Sequence, residues 1–256
     1  MTTALIGYTG FVGSNLASQY TFDELYNSKN IADIENKGFD LVVCAGVSAV
    51  MWLANKEPEQ DWKNIESLIE KLKTIKAKKM VLISTVDVYP NPQKVDENIV
   101  PKSDENPKPY GKHRLMLEEW ILQQFSNVLI VRLPGLFGGG IKKNVIFDII
   151  HDNMLDYHNG ESIMQYYNLK NIWKDIFIAL DNDITYLNIA TQPITIFQIG
   201  QIAGVTFTNP DAAKYIFDMQ TKHSALYQSP APGYLYSSDT ILNQISEFIQ
   251  SEKAKL

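Results

Sequence analysis

The sequence contains few cysteines and arginines for its length, and each scarcity excludes a class of protein. One cysteine among 256 residues, Cys44, means that no disulfide framework exists. Only two of the 23 basic residues are arginines, Arg114 and Arg132, so the other 21 are lysines (23 − 2 = 21). A net charge of −6 without any basic stripe argues against nucleic acid as a partner.

Long hydrophobic runs are also missing. No apolar segment is long enough to span a bilayer, and the start, MTTALIGYTG, lacks the basic and apolar regions of a signal peptide. We therefore expect a soluble, cytoplasmic protein with no membrane partner. The acidic and histidine residues of HDNMLDYH (151–158) have no compelling ligand spacing, so no metal site is predicted.

Strand-like and helix-like segments alternate along the first half of the chain. Apolar runs at 39–47 and 80–89 are typical of strands buried on both faces. Residues 63–76 place their apolar side chains on one helical face. A proline-rich loop, a helix at 112–125 and a strand at 127–134 follow. The alternation predicts an α/β fold with a doubly wound parallel sheet.

The alternation weakens after Pro134, which suggests two parts. The segment YLNIA (186–190) is predicted to add a last strand to the sheet. We expect a dinucleotide-binding Rossmann domain and a smaller, mostly helical substrate-binding part. The first comprises 1–134 with about 175–190, and the second comprises 135–174 and 191–256.

Three glycines, Gly7, Gly10 and Gly13, lie between the first strand and the first helix. Glycines at this spacing permit a tight turn and a close approach of the backbone to a pyrophosphate at the helix N-terminus. The same glycines are also compatible with a purely structural role in packing the helix on the strand.

The second strand is followed by Asn27, Ser28 and Lys29, where dinucleotide-binding proteins usually carry an acidic residue. A carboxylate there would hold a ribose 2′-hydroxyl, whereas neutral or basic groups tolerate a 2′-phosphate. This favours NADP, with NAD as the alternative. An ordinary turn would have the same composition.

The order of these motifs resembles the extended short-chain dehydrogenase/reductase family, in the branch that acts on nucleotide sugars. GYTGFVGSNL resembles that family's TGxxGxxG turn, and DLVVCAGVSAV its DxVxxxAA strand. ISTVDVYP resembles the SSxxVYG strand end, PYGKHRLMLEEWIL the PYxxxKxxxE helix, and IVRLPGLFGGG the RxxNVYGP segment. The shortness of the chain is similar to that of the keto-sugar reductases of this branch. A nucleotide-sugar substrate is implied.

The resemblance implies a set of residues around the cofactor. They are Gly7, Thr9, Gly10, Phe11, Val12 and Gly13 in the turn, Asn27 and Ser28 after the second strand, Asp33 and Ile34 toward the adenine, Cys44, Ala45 and Gly46 after the third strand, and Pro134. Two of these have a second reading, since Cys44 also suits a small core position and Pro134 also suits a strand end.

A second set of residues is expected to contact the sugar. It comprises Ser48, Asp87, Gly135 and Asn144. All except Gly135 are also typical of turns or helix caps. Gly135 stands where the family usually has asparagine. Only one acid, Asp87, follows Thr85, where sugar dehydratases of this branch carry two, so dehydration is not expected.

The resemblance implies that Tyr110 is the general acid/base and that Thr85 supplies the second hydroxyl. A fixed cation near a tyrosine lowers its pKa from about 10. Position 114 shares a helix face with Tyr110, and it carries Arg114 instead of the family's lysine. We expect Arg114 to keep the positive field and to contact the nicotinamide ribose. Arginine has no dissociable proton near neutral pH, so a relay through a lysine amine is lost.

Two functions are compatible with these motifs. The first is an NAD(P)-dependent reductase or epimerase acting on a keto group of a nucleotide-activated sugar. The second is a non-catalytic NAD(P)-binding protein that kept the fold and lost the lysine. A second YxxxK pair, Tyr166 and Lys170, has no strand with a hydroxyl residue before it and is expected to be coincidental.

A homodimer is implied by the same resemblance. The family pairs two helices of each copy into a four-helix interface, and the corresponding segments here are 63–76 and 111–125. Such helices need a second apolar face, to which we expect Leu117, Trp120 and Ile121 to contribute.

Overall fold

The computed structural model describes all residues from 1 to 256. The chain divides into two compact units, each formed by three segments. The first unit comprises 1–91, 99–132 and 172–187, and the second comprises 92–98, 133–171 and 188–256. Residues 92–98, which we expected in the dinucleotide-binding domain, therefore belong to the second unit.

The chain forms twelve strands and eight α-helices. The strands are β1 (Thr3–Ile6), β2 (Glu24–Tyr26), β3 (Gly38–Cys44), β4 (Lys76–Thr85), β5 (Gln93–Val95), β6 (Val128–Leu133), β7 (Gly135–Phe137), β8 (Ile163–Met164), β9 (Tyr166–Asn168), β10 (Tyr186–Asn188), β11 (Ile194–Thr195) and β12 (Asp218–Met219). The helices are α1 (Phe11–Gln19), α2 (Met51–Lys56), α3 (Pro58–Leu72), α4 (Pro109–Gln124), α5 (Val145–His151), α6 (Ile172–Asp181), α7 (Ile196–Ala203) and α8 (Ser238–Lys253).

The first unit is built on a six-stranded sheet with the order β10-β6-β4-β3-β1-β2. Strand β1 pairs in parallel with β2 and β3, and β3 pairs in parallel with β4. The predicted α/β fold with a parallel sheet is confirmed, including the last strand at Tyr186–Asn188. Since the carboxyl ends of parallel strands meet at one edge of a sheet, the residues that follow β1, β3 and β4 are brought to the same side.

The boundary between α3 and β4 differs from the prediction. The helix expected at 63–76 begins at Pro58 and ends at Leu72, and the lysine-rich segment from Lys76 opens β4. Ile75 precedes this strand and is buried in the core of the unit. The apolar pattern that predicted the helix extends beyond Leu72 because Ile75, in the following loop, also packs into the core.

Helix α4 is buried over most of its length. Leu117 and Ile121 are 1% and 0% exposed in a single chain, so they cannot contribute to a second, outward apolar face as we expected. Trp120 is only partly buried and packs against the core. The outward positions of α3 include Lys63 and Glu66, both exposed. The homodimer stays a prediction, without Leu117 and Ile121 as interface residues.

The second unit has its own apolar core. Residues of α5, α7 and α8 pack together there with Phe137 of β7 and Tyr166 of β9. Its strands form only short pairs: β7 with β9, β8 with β11, and β5 with β12. None of the helices in the chain combines the length and apolar character needed to cross a membrane.

Candidate active site

The turn between β1 and α1 contains two glycines that the fold itself requires. Gly7 has a left-handed φ of +86°, and a Cβ on it would lie 2.3 Å from the Ala45 carbonyl oxygen. A Cβ on Gly13 would lie 2.0 Å from the Gly7 carbonyl oxygen. Both separations are impossible for a side chain, so these two glycines let β1, β3 and α1 pack closely.

Gly10 differs from these two glycines. Its φ of −77° and ψ of 170° are open to any residue, and an added Cβ would meet only the Gly7 carbonyl oxygen, at 3.3 Å. Gly10 and Thr9 are exposed at the N-terminus of α1, where the first amides of a helix lack partners within the helix. Packing therefore does not require a glycine at position 10. The exposed N-terminus of α1 is a position that suits a dinucleotide pyrophosphate.

Replacing Gly10 with alanine is therefore expected to weaken cofactor binding at little cost to the fold. A methyl group there would occupy the approach to the α1 amides. We therefore expect the Kd for NADPH to rise about tenfold or more, which is a loss of at least about 1.4 kcal/mol of binding free energy. Calorimetric titration measures this change. Gly13→Ala is the contrast, because its clash with the Gly7 carbonyl should lower the melting temperature. An unchanged Kd in folded Gly10→Ala would leave the turn with a structural role only.

The residues expected near the adenosine follow β2 directly. The Asn27 side-chain oxygen accepts a hydrogen bond from the Lys29 amide at 2.8 Å, while Ser28 and Lys29 are exposed. Asp33 is exposed in a short 3₁₀ turn, but the Ile34 side chain is fully buried in the core. Any contact of Ile34 with a cofactor would thus be made by its main chain.

The candidate residues at and after the end of β3 also differ in their exposure. Cys44 is fully buried, and burial raises the pKa of its thiol to about 11, which makes it an inert core residue. Ala45 is half-buried and Gly46 is exposed, at the carboxyl edge of the sheet. Ser48 is also exposed, and its carbonyl oxygen accepts a hydrogen bond from Arg114 at 2.6 Å.

Thr85 and Asp87 form a hydrogen-bonded pair close to the start of α4, which carries Tyr110. The Thr85 hydroxyl donates to the Asp87 carboxylate at 2.8 Å and accepts from the Asp87 amide at 3.2 Å. Thr85 ends β4 and Tyr110 lies in the first turn of α4, so the end of a buried strand and the start of a helix carry the two hydroxyl residues.

Two asparagines and a glycine position this group, and the sequence analysis missed all three. Gly111 packs so closely on the Asp87 main chain that a Cβ would lie 2.0 Å from the Asp87 carbonyl oxygen. Asn106 donates from its side chain to that same carbonyl at 2.8 Å. The Tyr110 amide donates to the Asn55 side chain at 3.0 Å. The PYG spacing at the start of α4 was the available signal for Gly111, whereas the asparagines had none.

Arg114 is held in a buried clamp. Its guanidinium forms a bidentate pair with Asp61, with N···O distances of 2.6 and 3.0 Å. The same two terminal nitrogens donate to the Tyr110 carbonyl at 3.1 Å and the Ser48 carbonyl at 2.6 Å. Its central carbon lies 3.9 Å from the centroid of the Tyr110 ring. The cation therefore stacks on the face of the phenol ring, and its terminal donors are occupied by the protein.

Asp61 also accepts a hydrogen bond from the Nδ1 of His113, at 2.8 Å. Burial alone would raise the pKa of Asp61, but the hydrogen bonds from Arg114 and His113 outweigh it and hold that pKa below its usual value. Asp61 is therefore an anion that offsets the charge of Arg114. A lone aspartate 53 residues before its partner offered no sequence signal.

The pKa of Tyr110 is raised above its usual value of 10.0, contrary to our expectation of a lowered one. Burial of the phenol is the main cause. Arg114 does act in the expected direction, but the negative charges of Asp87 and Asp61 oppose it. The phenol is consequently neutral at neutral pH and can donate a proton.

A second buried ion pair stabilises the region around β4, the strand that ends at Thr85. Arg132 of β6 and Glu118 of α4 are 3% and 1% exposed and form a pair at 2.6 Å. The Ser84 hydroxyl donates to Glu118, and Arg132 donates to the Tyr89 hydroxyl at 2.7 Å. This network ties α4 and β6 to both sides of the segment that carries Thr85.

The remaining candidates belong to the second unit. A Cβ on Gly135 would lie 2.8 Å from the Gln165 carbonyl oxygen, so packing excludes the asparagine that the family has at this position. The Asn144 side chain caps α5 by accepting from two amides, and it donates to the Leu136 carbonyl at 2.8 Å. Asn144 is thus a helix-capping residue, which was the alternative to a contact with the sugar. Pro134 lies between β6 and β7.

The coincidental YxxxK pair and the acidic segment at 151–158 also lie in the second unit. Tyr166 is 3% exposed within the apolar core of that unit. No group of three or more His, Cys, Asp or Glu side chains has an arrangement that would hold a metal ion. His158 instead forms a pair with Asp148 at 2.7 Å.

The fold and the carboxyl edge of its sheet define a Rossmann-like α/β protein. A profile of the NAD dependent epimerase/dehydratase family matches residues 20–183, which is 164 of the 256 residues. The chain belongs to this family. The matched range begins after the glycine turn, so the assignment is independent of that motif. No curated protein sequence matches the chain.

Solved structures resemble the chain over nearly its whole length. UDP-glucose 4-epimerase from Thermotoga maritima, solved with UDP-glucose, has a TM-score of 0.72 at 17% identity, covering 100% of this chain and 99% of that one. RMD from Pseudomonas aeruginosa, complexed with NADPH, has 0.71 at 16%, covering 100% of both. A dTDP-4-dehydrorhamnose reductase from Clostridium acetobutylicum has 0.72 at 14%, covering 98% and 99%. At these identities the likeness establishes the fold.

Proposed function

We propose that this protein is a nicotinamide-dependent oxidoreductase that reduces a keto group of a nucleotide-activated sugar. The observation that carries the proposal is that the first turn of α4, which carries Tyr110, packs on the Asp87 main chain just after Thr85, at the carboxyl edge of the sheet. Membership of an NAD-dependent family supports the cofactor class, and the solved relatives with UDP-glucose or NADPH support the substrate and cofactor types.

Reduction is favoured over the other reactions of the family by the chemistry of the site. A bound reduced nicotinamide would supply the hydride. Tyr110 would donate its proton to the oxygen of the keto group, a step for which a phenol that stays protonated is suited. Epimerisation by oxidation and reduction needs the same tyrosine first as a base, which its raised pKa disfavours. Dehydration is disfavoured because Val86 separates Thr85 from the one following acid.

NADP is the proposed cofactor. No carboxylate follows β2 directly, and Ser28 and Lys29 are exposed there, which leaves room and a positive charge for a 2′-phosphate. The exposed Thr9 and Gly10 border the space proposed for the pyrophosphate. Asp33, Ala45 and Gly46 stay proposed contacts, as do the main chains of Ile34 and Cys44.

A non-catalytic dinucleotide-binding protein is the second candidate, and one observation favours it. The terminal nitrogens of Arg114 donate to Asp61, Ser48 and Tyr110, so they do not stand free to hold a nicotinamide ribose. Under this reading the protein binds NADPH but reduces no sugar.

A turnover experiment separates the candidates. Wild type is incubated with dTDP-4-dehydrorhamnose and NADPH or NADH, and separately with UDP-glucose and NAD⁺ or NADP⁺, and both cofactor absorbance and sugar products are followed. We expect oxidation of one NADPH per keto-sugar reduced, with NADPH preferred to NADH. Interconversion of UDP-glucose without net cofactor consumption would establish epimerisation instead. Binding of NADPH without any product from a wider set of keto-sugars would support the non-catalytic reading.

Three further predictions accompany the proposed function. Ser48 and Asp87 are proposed to face the sugar. The protein is proposed to be cytoplasmic and to form a homodimer, and light scattering at micromolar concentration tests the dimer.

A further inference from the structure

The proposed reduction places a negative charge on Tyr110. When the phenol gives its proton to the keto oxygen, a phenolate forms on a residue that is only 8% exposed, so water gives it little support. A cation that is held in place before the reaction stabilises such a charge without any reorganisation. The cation beside this ring is Arg114, whose central carbon lies 3.9 Å from the ring centroid.

Arg114 has a long and flexible side chain, and Asp61 fixes it. The two carboxylate oxygens of Asp61 accept hydrogen bonds from the two terminal nitrogens of Arg114, at 2.6 and 3.0 Å, which sets the position and the plane of the guanidinium. The Asp61 side chain is 8% exposed. The hydrogen bond that it accepts from His113, at 2.8 Å, holds it in turn.

Two main-chain carbonyls take the remaining terminal N–H groups of Arg114. The Tyr110 carbonyl accepts from one terminal nitrogen at 3.1 Å, and the Ser48 carbonyl accepts from the other at 2.6 Å. Each carbonyl contacts a single nitrogen and carries no net charge, whereas Asp61 contacts both nitrogens and is an anion. The placement of the guanidinium on the ring therefore depends chiefly on Asp61.

We propose that Asp61 is a positioning residue for the reduction, which keeps the Arg114 guanidinium on the face of the Tyr110 ring so that this cation stabilises the phenolate. The inference rests on the proposed function. In this role Asp61 contacts neither substrate nor cofactor and acts through Arg114. A lysine ammonium cannot pair with both carboxylate oxygens in one plane, which gives a physical reason for arginine at position 114.

The charges around Tyr110 make this role measurable. Arg114 lowers the pKa of Tyr110, whereas Asp87 and Asp61 raise it, and the effect of Asp61 is smaller than that of Arg114. Removing the charge of Asp61 alone would therefore lower the pKa of Tyr110. Removing Asp61 and thereby displacing Arg114 would raise that pKa, because the larger influence is lost as well. The sign of the change in pKa separates positioning from a simple effect of charge.

Asp61→Asn tests the inference without any substrate. Phenolate absorbance of wild type minus Tyr110→Phe reports the ionisation of Tyr110 alone, and Asp61→Asn minus Asp61→Asn/Tyr110→Phe reports it in the variant. We expect the Tyr110 titration to move to higher pH in Asp61→Asn. The matched control is Glu66→Gln, which removes one negative charge from an exposed position of the same helix and should leave the titration unchanged. A shift to lower pH in Asp61→Asn, or no shift, would overturn the proposal.

Asp61→Glu provides the test should Asp61→Asn fail to fold. It keeps the buried counter-charge of Arg114 but moves the carboxylate by one methylene group, so the guanidinium cannot stay in the same place. We expect the Tyr110 titration to move to higher pH in this variant as well. A wild-type titration in folded Asp61→Glu would show that the placement of the cation does not matter.

Steady-state kinetics supply the last test. With dTDP-4-dehydrorhamnose and NADPH, Asp61→Asn should lower kcat about tenfold, the size of a cation–π contact, with little change in KM or in the Kd for NADPH. Because Asp61 acts through Arg114, Asp61→Asn/Arg114→Leu should be no slower than Arg114→Leu alone. Additive losses would refute the positioning role. If wild type reduces no sugar and the titration still moves to higher pH, the placement of Arg114 by Asp61 is upheld and only the proposed function fails.

Discussion

Replacing Tyr110 with phenylalanine should lower the rate of keto-sugar reduction by about 10²–10⁴-fold, the usual contribution of a positioned general acid. The variant should fold normally. Its ring still stacks beneath Arg114, and the Thr85 hydroxyl keeps its hydrogen bond to Asp87. Because the phenol oxygen is the only group removed, the Kd for NADPH should be nearly unchanged. Steady-state kinetics and calorimetric titration measure the two quantities.

Tyr166→Phe is the control for this prediction. Tyr166 also begins a YxxxK sequence, but it is buried in the core of the second unit. We expect it to leave kcat within a few-fold of wild type at a modest cost in stability. A Tyr110→Phe enzyme as fast as wild type would remove Tyr110 from the chemistry, whatever the effect of Tyr166→Phe.

Arg114→Ala should destabilise the protein by about 3–5 kcal/mol, because it leaves the buried Asp61 carboxylate without its partner. Asp61 and Arg114 have side-chain exposures of 8% and 5%, so water compensates for little of the lost pair. The loss of the cation should also raise the pKa of Tyr110 further, since Arg114 is the neighbour that lowers it most. Urea denaturation gives the first quantity, and phenolate absorbance gives the second.

Arg114→Lys should fall between wild type and Arg114→Ala. An ammonium can reach one Asp61 oxygen but cannot also satisfy the second oxygen and the Ser48 carbonyl. The surroundings of Arg114 are shaped for a planar, bidentate group, so lysine should restore only part of the clamp. If Arg114→Ala unfolds at the wild-type urea concentration, the clamp has no role in stability.

The pH dependence of stability supplies a check on the same pair. The folded pKa of Asp61 is below its usual value of 3.8, so the pair stabilises the fold above that pH. This contribution is lost as the pH falls through the folded pKa. The double variant Asp61→Leu/Arg114→Leu should lack that acid-sensitive contribution while recovering much of the stability lost in Arg114→Ala.

Much of the framework was accessible from local patterns. The alternation of apolar runs predicted the parallel sheet, since strands buried on both faces and amphipathic helices carry their periodicity in adjacent residues. The glycine turn followed in the same way, whereas the positions of Thr85 at a strand end and of Tyr110 at a helix start were implied by the resemblance of their motifs to those of the family. The roles of these residues stay predictions, because motif positions do not by themselves show which atoms contact a cofactor or a sugar.

Other features depended on residues far apart in the chain. The sequence by itself determined the α/β framework and the order of Thr85, Tyr110 and Arg114 along it, since each is set by neighbours a few positions away. Only the tertiary structure decided that Asp61 neutralises Arg114 and that Gln165 excludes a side chain at Gly135. It also decided that the pKa of Tyr110 is higher than that of a free tyrosine. The reason is that a pKa and a steric limit depend on burial and on charges brought together by folding, and neither has a sequence period.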